Sequence, residues 1–532
     1  MAVVGDMGLG RRQFLAAPLA AGFARGREPD LDALARGLEG RLVRPGEAAY
    51  AEARQLFQPR HDAVAPAAVA YPAHEDDVVT CLDFARRAGL PVVARGGGHS
   101  YPGWSTGRGL VVDVGTMAAV EPGTGSARIG AGARLGEVHA ALGARGAALP
   151  AGLCPSVGIA GLTLGGGLGV AARAYGATSD ALTGARVVTP DGRVREVGPA
   201  QDAELFWALR GGGGGNFGVV TEFRFRTWPA GDCGFAELHW PASATAGLVG
   251  AWQRWLAGLA DPFWSQLEFT VEGGDGGDGG GGGPNGGHGR YGRYGGGTGR
   301  GADPVPAPAV RVVCLDGRAE LEEELDRLAA AVGSPPRDRY IVQRGYADTM
   351  RAMAGCLGYA PAQCRLPGTL PGHDPTGLLE RDSYAGRSDF WTGAGLPPAA
   401  VAALLDGLAG YAGAVPPGGR GVVQLDGVCG GELNRVGVTD TAFAHRSYGL
   451  LTQYLAYWPA GAPAAEAARH EAWLGGLWSA LRPWASGAAY QNYTDPALTT
   501  WRGAYYGPNL ARLEALRRAL DPDRLFRFPQ AL

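Results

Sequence analysis

The sequence predicts an α+β chain of more than one domain, and three observations carry that prediction. Its 532 residues exceed the length over which one hydrophobic core usually grows. Up to about residue 232 it reads as short strands divided by glycine turns. From about residue 233 long helical stretches alternate with strands, which suits an antiparallel sheet covered by helices on one face. A hydrophobic content of 46% with 19% charged residues fits a soluble globular protein. The net charge of −3 gives no electrostatic footprint for nucleic acid or an anionic membrane. Lysine does not occur, which excludes Schiff-base chemistry on a lysine.

The elements follow in chain order. Gly10-Arg11-Arg12-Gln13-Phe14-Leu15 and the mildly apolar run to about Ala24 resemble a twin-arginine export signal. Residues 1–30 are therefore expected to be a leader, placing the protein outside the cell or in its envelope. A basic tail on a cytoplasmic protein is the alternative. The apolar run is too short to anchor the chain in a bilayer. Residues 76–88 predict a helix, with acidic residues first, arginines last and Gly89 as the stop. Strands are expected at Pro91–Ala94 and Leu110–Val114, an apolar helix near Leu135–Leu142, and a hairpin of Ala185–Thr189 and Arg193–Val197 turning on Pro190-Asp191-Gly192. Val219–Arg226 is a further strand, and Trp228-Pro229 marks a boundary. Beyond it, helices are expected at 246–259, 318–332, 400–413 and 464–482. Strands are expected at Gln266–Val271, Val310–Leu315, Gly421–Leu425 and Leu450–Trp458. The stretch 273–302 is almost all glycine and is expected to be a flexible surface insert without chemistry. A last helix spans Asn509–Leu520.

The seven cysteines show no CxxC pair, and the histidines no metal spacing, so no metal site is expected. Cys81 falls on the apolar face of the first helix and reads as core. Cys356 and Cys364 are near enough in sequence for a disulfide in an exported protein, although pairing does not follow from sequence.

Two glycine runs hold the chemistry. Arg95-Gly96-Gly97-Gly98-His99-Ser100 ends in a histidine. Gly152-Leu153-Cys154-Pro155-Ser156-Val157-Gly158 carries a cysteine and leads to Leu164-Gly165-Gly166-Gly167-Leu168-Gly169. Glycine lets backbone N–H groups approach a phosphate closely, and the imidazole and thiol add nucleophiles beside it. Gly167-x-Gly169-x-x-Ala172 mimics a dinucleotide fingerprint, but it leaves a glycine run rather than a strand and meets Val187 where an acidic residue belongs.

With these two runs in place, the chain resembles the berberine bridge enzyme-like oxidases, whose flavin domain is of the vanillyl-alcohol oxidase type. The resemblance covers nearly everything from about residue 60, except the glycine insert. It implies a two-lobed FAD-binding domain over 44–232, a substrate domain over 233–487 and a C-terminal segment, 488–532, that returns to the FAD domain. It implies FAD bonded twice, through His99 and Cys154. Arg95, Gly96, Gly97, Gly98 and Ser100 would hold phosphate, while Val157, Gly158, Gly161 and Gly165 to Gly167 follow the cofactor. Asn216 and Gly218 fall in the same frame, or merely turn the chain into its strand.

The resemblance also supplies a catalytic set. In Tyr490-x-Asn492-Tyr493, read as a strand, Tyr490 and Asn492 share one face and Tyr493 takes the other. Tyr493 is then the base that removes a substrate hydroxyl proton, with Tyr490 and Asn492 against the flavin. The strand Gln424-Leu425-Asp426 puts Gln424 and Asp426 together and is similar to the Gln-x-Asp strand of glucooligosaccharide oxidases. There the aspartate accepts a hydrogen bond from the base and the glutamine faces substrate. Asp426 is thus a proton acceptor or an orienter; its charge alone would raise a tyrosine's pKa. Gln453 is a sugar-hydroxyl ligand by the same resemblance, and Tyr101, Tyr454 or Trp458 a stacking surface. Thr439–Arg446 follows that subgroup, with His445 and Arg446 holding structure. Val157 stands where small residues accompany oxidases, whereas Leu162 replaces a histidine common in relatives.

The expected reaction is hydride removal from the hydroxyl carbon of a sugar, oligosaccharide or glycosylated metabolite, with O2 as acceptor and H2O2 as product. A tailoring oxidase or dehydrogenase of secondary metabolism, or a flavin-binding protein of low turnover, are the alternatives.

Overall fold

The computed structural model describes residues 29–273, 307–393 and 395–532. All but the last two residues of the expected leader and all but the first residue of the glycine insert lie outside them.

The first lobe rests on two sheets. A four-stranded sheet has the order Arg41–Val43, Ala68–Tyr71, Leu110–Asp113, Val92–Arg95. Its last three strands run parallel. Helix Glu75–Ala88 joins two of them, with three acidic residues in its first turn and Gly89 in the left-handed region as its stop. Cys81 is fully buried in it, as expected. A five-stranded antiparallel sheet has the order Val120–Gly123, Ser126–Gly130, Val219–Arg226, Leu182–Val188, Val194–Val197.

One hydrophobic cluster joins both sheets to residues from the far end of the chain, among them Ala489, Trp501, Tyr505, Leu513 and Phe526. The tie is also made by backbone: Val92 N donates to Leu525 O at 2.9 Å, and Val92 bridges Phe526 in parallel.

The second lobe is a seven-stranded antiparallel sheet. Its order is Asp338–Gly345, Asp232–His239, Ala309–Cys314, Phe263–Glu272, Arg420–Asp426, Leu450–Trp458, Ser383–Trp391. Helices Thr245–Gly258, Arg318–Val332, Pro398–Ala412 and Ala464–Leu481 cover one face, where Leu267, Phe269, Val423, Leu425 and Tyr454 meet Leu248, Leu325, Leu404 and Leu477. Side chains of opposite parity turn to the first lobe.

Three of these strands escape the periodicity argument. Asp338–Gly345 and Ser383–Trp391 form the two edges, and edge strands carry charged residues that spoil the alternation. Ser383–Trp391 is buried nonetheless, because the C-terminal segment covers it: Phe390 N donates to Ala488 O at 3.1 Å and Tyr490 N to Ser388 Oγ at 3.0 Å. Asp232–His239 holds Gly234 in its interior, where a Cβ would lie 2.4 Å from Gly317 O. Cys356 and Cys364 form a disulfide.

Candidate active site

Strand Val92–Arg95 delivers the first glycine loop directly into a cavity of about 330 Å³ between the lobes, within the usual range of roughly 300–1,000 Å³ for small-molecule sites. A Cβ on Gly97 would lie 2.1 Å from Gly158 N, so the two loops touch backbone to backbone and admit only glycine there. Gly98 adopts φ +71°, turning His99 inward. The second loop is pinned through Leu135 N to Val157 O at 2.9 Å and Ile159 N to Ala133 O at 3.0 Å.

His99 and Cys154 both line this cavity. The His99 ring stacks on Phe57 with centroids 4.0 Å apart, and its Nε2 lies 2.9 Å from Ser156 Oγ. Burial pushes the Cys154 thiol up to about 12, so it rests as a thiol at neutral pH. Gly96, Gly97, Gly98, Ser100, Val157, Gly158, Gly161, Asn216 and Gly218 line the same space. Arg95 borders it, but its guanidinium is turned to protein: Nε donates to Asp113 at 2.5 Å and Nη2 to Ala53 O at 2.7 Å. It braces the loop from behind rather than reaching into the cavity.

Gly165, Gly166 and Gly167 do not line the cavity, contrary to the sequence expectation. A Cβ there would strike Asn492 Oδ1 at 2.0 Å, the Phe443 ring at 2.5 Å and Thr178 Oγ1 at 2.4 Å respectively. These glycines let protein approach protein. A third loop lines the cavity in their stead. Gly213, Gly214 and Gly215 line the cavity, anchored by Gly213 N to Leu164 O at 2.8 Å and Leu532 N to Asn216 Oδ1 at 3.1 Å. Its five consecutive glycines were the available signal.

Tyr490, Asn492 and Tyr493 line the cavity, but Gln491–Tyr493 is a 3₁₀ turn rather than a strand. The grouping survives, because Asn492 folds back: its Nδ2 donates to Tyr490 Oη at 2.9 Å and to Leu162 O at 3.0 Å. Gly167 N donates to Tyr490 Oη at 3.0 Å. Tyr493 packs edge-on against Tyr490, with ring centroids 4.9 Å apart, and lies parallel to Tyr101 with rings 5.8 Å apart.

The sheet supplies the opposite wall. Gln424 pairs in register with Gln453, and Gln266 with Asp426, so three amides and a carboxylate share one patch. Gln453 Nε2 donates to Tyr101 Oη at 2.5 Å, and Gln424 Nε2 to Glu268 Oε2 at 2.7 Å. Asp426 Oδ1 accepts from Trp264 Nε1 at 2.7 Å. It acts on Tyr493 through its charge and not, as expected, through a hydrogen bond. Burial raises Asp426 to about 7; burial, then the Asp426 charge, push Tyr493 well above the ordinary phenol range.

Tyr454 and Trp458 are elsewhere. Tyr454 has the opposite parity from Gln453 and is buried under the helices. Trp458 stacks on His470 at 5.8 Å and carries the Arg60 guanidinium. Trp264, Gln266 and Tyr384 line the cavity and were missed. The first two share the inward parity of Asp426's neighbouring strand; Tyr384 lies on an edge strand without a legible pattern. Arg446 makes a buried bidentate pair with Asp180, both contacts at 2.7 Å. Among the described residues no group of His, Cys, Asp and Glu is placed to hold a metal, and no helix is long and apolar enough to cross a membrane.

A family model for an FAD binding domain matches residues 66–198, and one described as berberine and berberine like matches 489–532. The chain is an FAD-linked oxidoreductase similar to the berberine bridge enzyme-like proteins. An uncharacterised FAD-linked oxidoreductase of Bacillus subtilis is 28% identical over 93% of this chain and 97% of its own. A chitooligosaccharide oxidase of Gibberella zeae is 27% identical over 88% and 87%. The structure of the berberine bridge enzyme-like protein 1 of Physcomitrella patens superposes with a TM-score of 0.78 at 25% identity, covering 94% of this chain and 98% of its own. An FAD-binding domain fits the cavity's own construction. Three glycine loops with accessible backbone line it, and a Cβ on Gly161 would meet nothing within 4 Å, so the wall is left open for a bound dinucleotide.

Proposed function

We propose that this berberine bridge enzyme-like protein is a bicovalent FAD oxidase acting on the hydroxyl carbon of a sugar or oligosaccharide, with O2 as acceptor and H2O2 as product. One observation carries the reading: Gln424, Gln453, Asp426 and Tyr493 line the same cavity as His99 and Cys154. The residues 44–232 with 488–532 hold the cofactor, and 233–487 select the substrate. His99 and Cys154 bond the FAD, which supplies the hydride acceptor. Gln424 and Gln453 hold substrate hydroxyls, since amides offer both donors and acceptors. Tyr101 and Tyr384 give the apolar faces of a sugar ring a place to lie.

Tyr493 rests as a neutral phenol. To take the substrate's hydroxyl proton it must give up its own, and Asp426, poised near 7, is matched to receive it. A substrate that closes the cavity would bring the two groups within hydrogen-bonding reach, as catalytic hydrogen bonds often form fully only on binding. Val157 on the cavity wall is the small residue that accompanies oxygen access in the family. Export through the arginine-pair leader would place the enzyme outside the cytoplasm.

The test is purified protein with FAD, a panel of neutral mono- and oligosaccharides, and peroxide detection. Turnover on sugars with peroxide in equal amount is expected. Reduction by an aromatic alcohol panel instead of sugars, or electron transfer to dyes but not to oxygen, would overturn the respective half of the proposal.

A further inference from the structure

The loop that carries Cys154 also grips His99. Ser156, two residues past that cysteine and buried, has its Oγ 2.9 Å from His99 Nε2, while Phe57 stacks on the ring at 4.0 Å with 21° between planes. We propose that Ser156 is the positioning residue for flavin attachment through His99, fixing the imidazole tautomer that forms the bond. This rests on the covalent reading above.

A neutral imidazole has one N–H and one lone pair, and the partner of one nitrogen decides which is which. When Ser156 Oγ accepts from Nε2–H, the lone pair sits on Nδ1, and attachment falls to that nitrogen. In the attachment one C–H of the flavin's 8α methyl and the imidazole N–H break, and one C–N bond forms. The two protons and the electron pair stay on the flavin ring, and dioxygen then takes them as hydrogen peroxide. Afterwards Nε2 holds the lone pair, and the same hydroxyl turns to donate to it. A hydroxyl serves both states. A carboxylate serves only the first, and alanine neither. The Phe57 stack limits rotation of the ring, so Ser156 and Phe57 together hold one geometry.

Single-bond backgrounds isolate the effect. Cys154→Ala leaves attachment to His99, and His99→Ala leaves it to Cys154. FAD mass retained after acid denaturation reports the bond, and absorbance of the native protein reports bound FAD. Adding Ser156→Ala to Cys154→Ala is expected to cut the attached fraction at least tenfold at equal incubation, with FAD still bound in the native protein. Ser156→Thr in the same background is expected to restore it. Ser156→Ala added to His99→Ala is expected to leave attachment unchanged. Undiminished attachment in the first double variant overturns the proposal. So does loss of attachment in the His99→Ala double variant, which would make Ser156 a general support of the loop. If Cys154→Ala alone releases all its FAD, the His99 bond itself is refuted and the proposal falls with it, by a result distinct from the other two.

Discussion

Gly97→Ala tests how the cofactor loops are built. The new Cβ would start 2.1 Å from Gly158 N, a backbone atom that cannot swing aside. Reaching ordinary contact near 3.4 Å moves the loops apart by about 1.3 Å. Overpacking of this kind typically costs about 1–3 kcal/mol, which for a domain of this size lowers Tm by about 2–12 °C. The chemical effect is larger, because a displacement of about 1 Å at a positioned group can cost on the order of 10²-fold in rate. Gly231→Ala is the matched control, since a Cβ there meets nothing within 4 Å. Gly161→Ala separates folding from binding: its Cβ has no protein neighbour but enters the cavity, so Tm of the apoprotein should hold while FAD content falls. Thermal unfolding by circular dichroism and FAD content by visible absorbance read the three variants. A Gly97→Ala protein with unchanged Tm and full FAD content refutes the backbone-contact argument.

Tyr493→Phe should lower kcat by about 10²–10⁴-fold, the usual worth of a general base, with the flavin spectrum unaltered; near-full turnover would remove Tyr493 from the base role. Because burial raises Asp426 to about 7, its carboxylate is lost as pH falls through that value. The rate should then drop about tenfold per pH unit below it, and Asp426→Asn should abolish that limb of the profile, which stopped-flow flavin reduction would measure. Cys356→Ser opens the disulfide that packs beside Tyr101 and Tyr384. For so short a loop the loss is about 2–3 kcal/mol, visible as a lower Tm without a change in FAD content. Arg446→Ala leaves Asp180 buried without its bidentate partner, and breaking such a pair costs about 3–5 kcal/mol; a Tm equal to the parent's would show that the pair carries no stability.

Much of this was legible in the sequence where local rules act alone. Glycine runs announce close backbone approach, and helix Arg318–Val332 falls where periodicity puts it, because it buries one face against one layer; strand Leu450–Trp458 keeps its expected bounds although both its faces are buried. Parity on one strand places Gln424 and Asp426 together, and the family resemblance points to Gln453, which the sheet then sets beside Gln424. The failures share a cause in tertiary contact. Gly165 to Gly167 look like a phosphate cradle, yet only Asn492, Phe443 and Thr178, distant in sequence, explain their missing side chains. The turn at Gln491–Tyr493 reads as a strand, with alternation grouping Tyr490 and Asn492, but it is bent by bonds to Leu162 and Gly167. Edge strands hide from alternation whenever another segment covers them, as residues 486–490 cover Ser383–Trp391.

The parallel bridge between Val92 and Phe526 sets an order of events during synthesis. The strand that feeds the His99 loop is translated early, whereas its neighbour and the tyrosines of the cavity wall leave the ribosome only after the whole seven-stranded sheet. A nascent chain therefore holds a half-built cofactor site for most of its translation, at typical rates of about 5–20 residues per second. The cavity gains its last wall only once that late segment docks, so chains truncated before residue 488 are expected to hold FAD poorly.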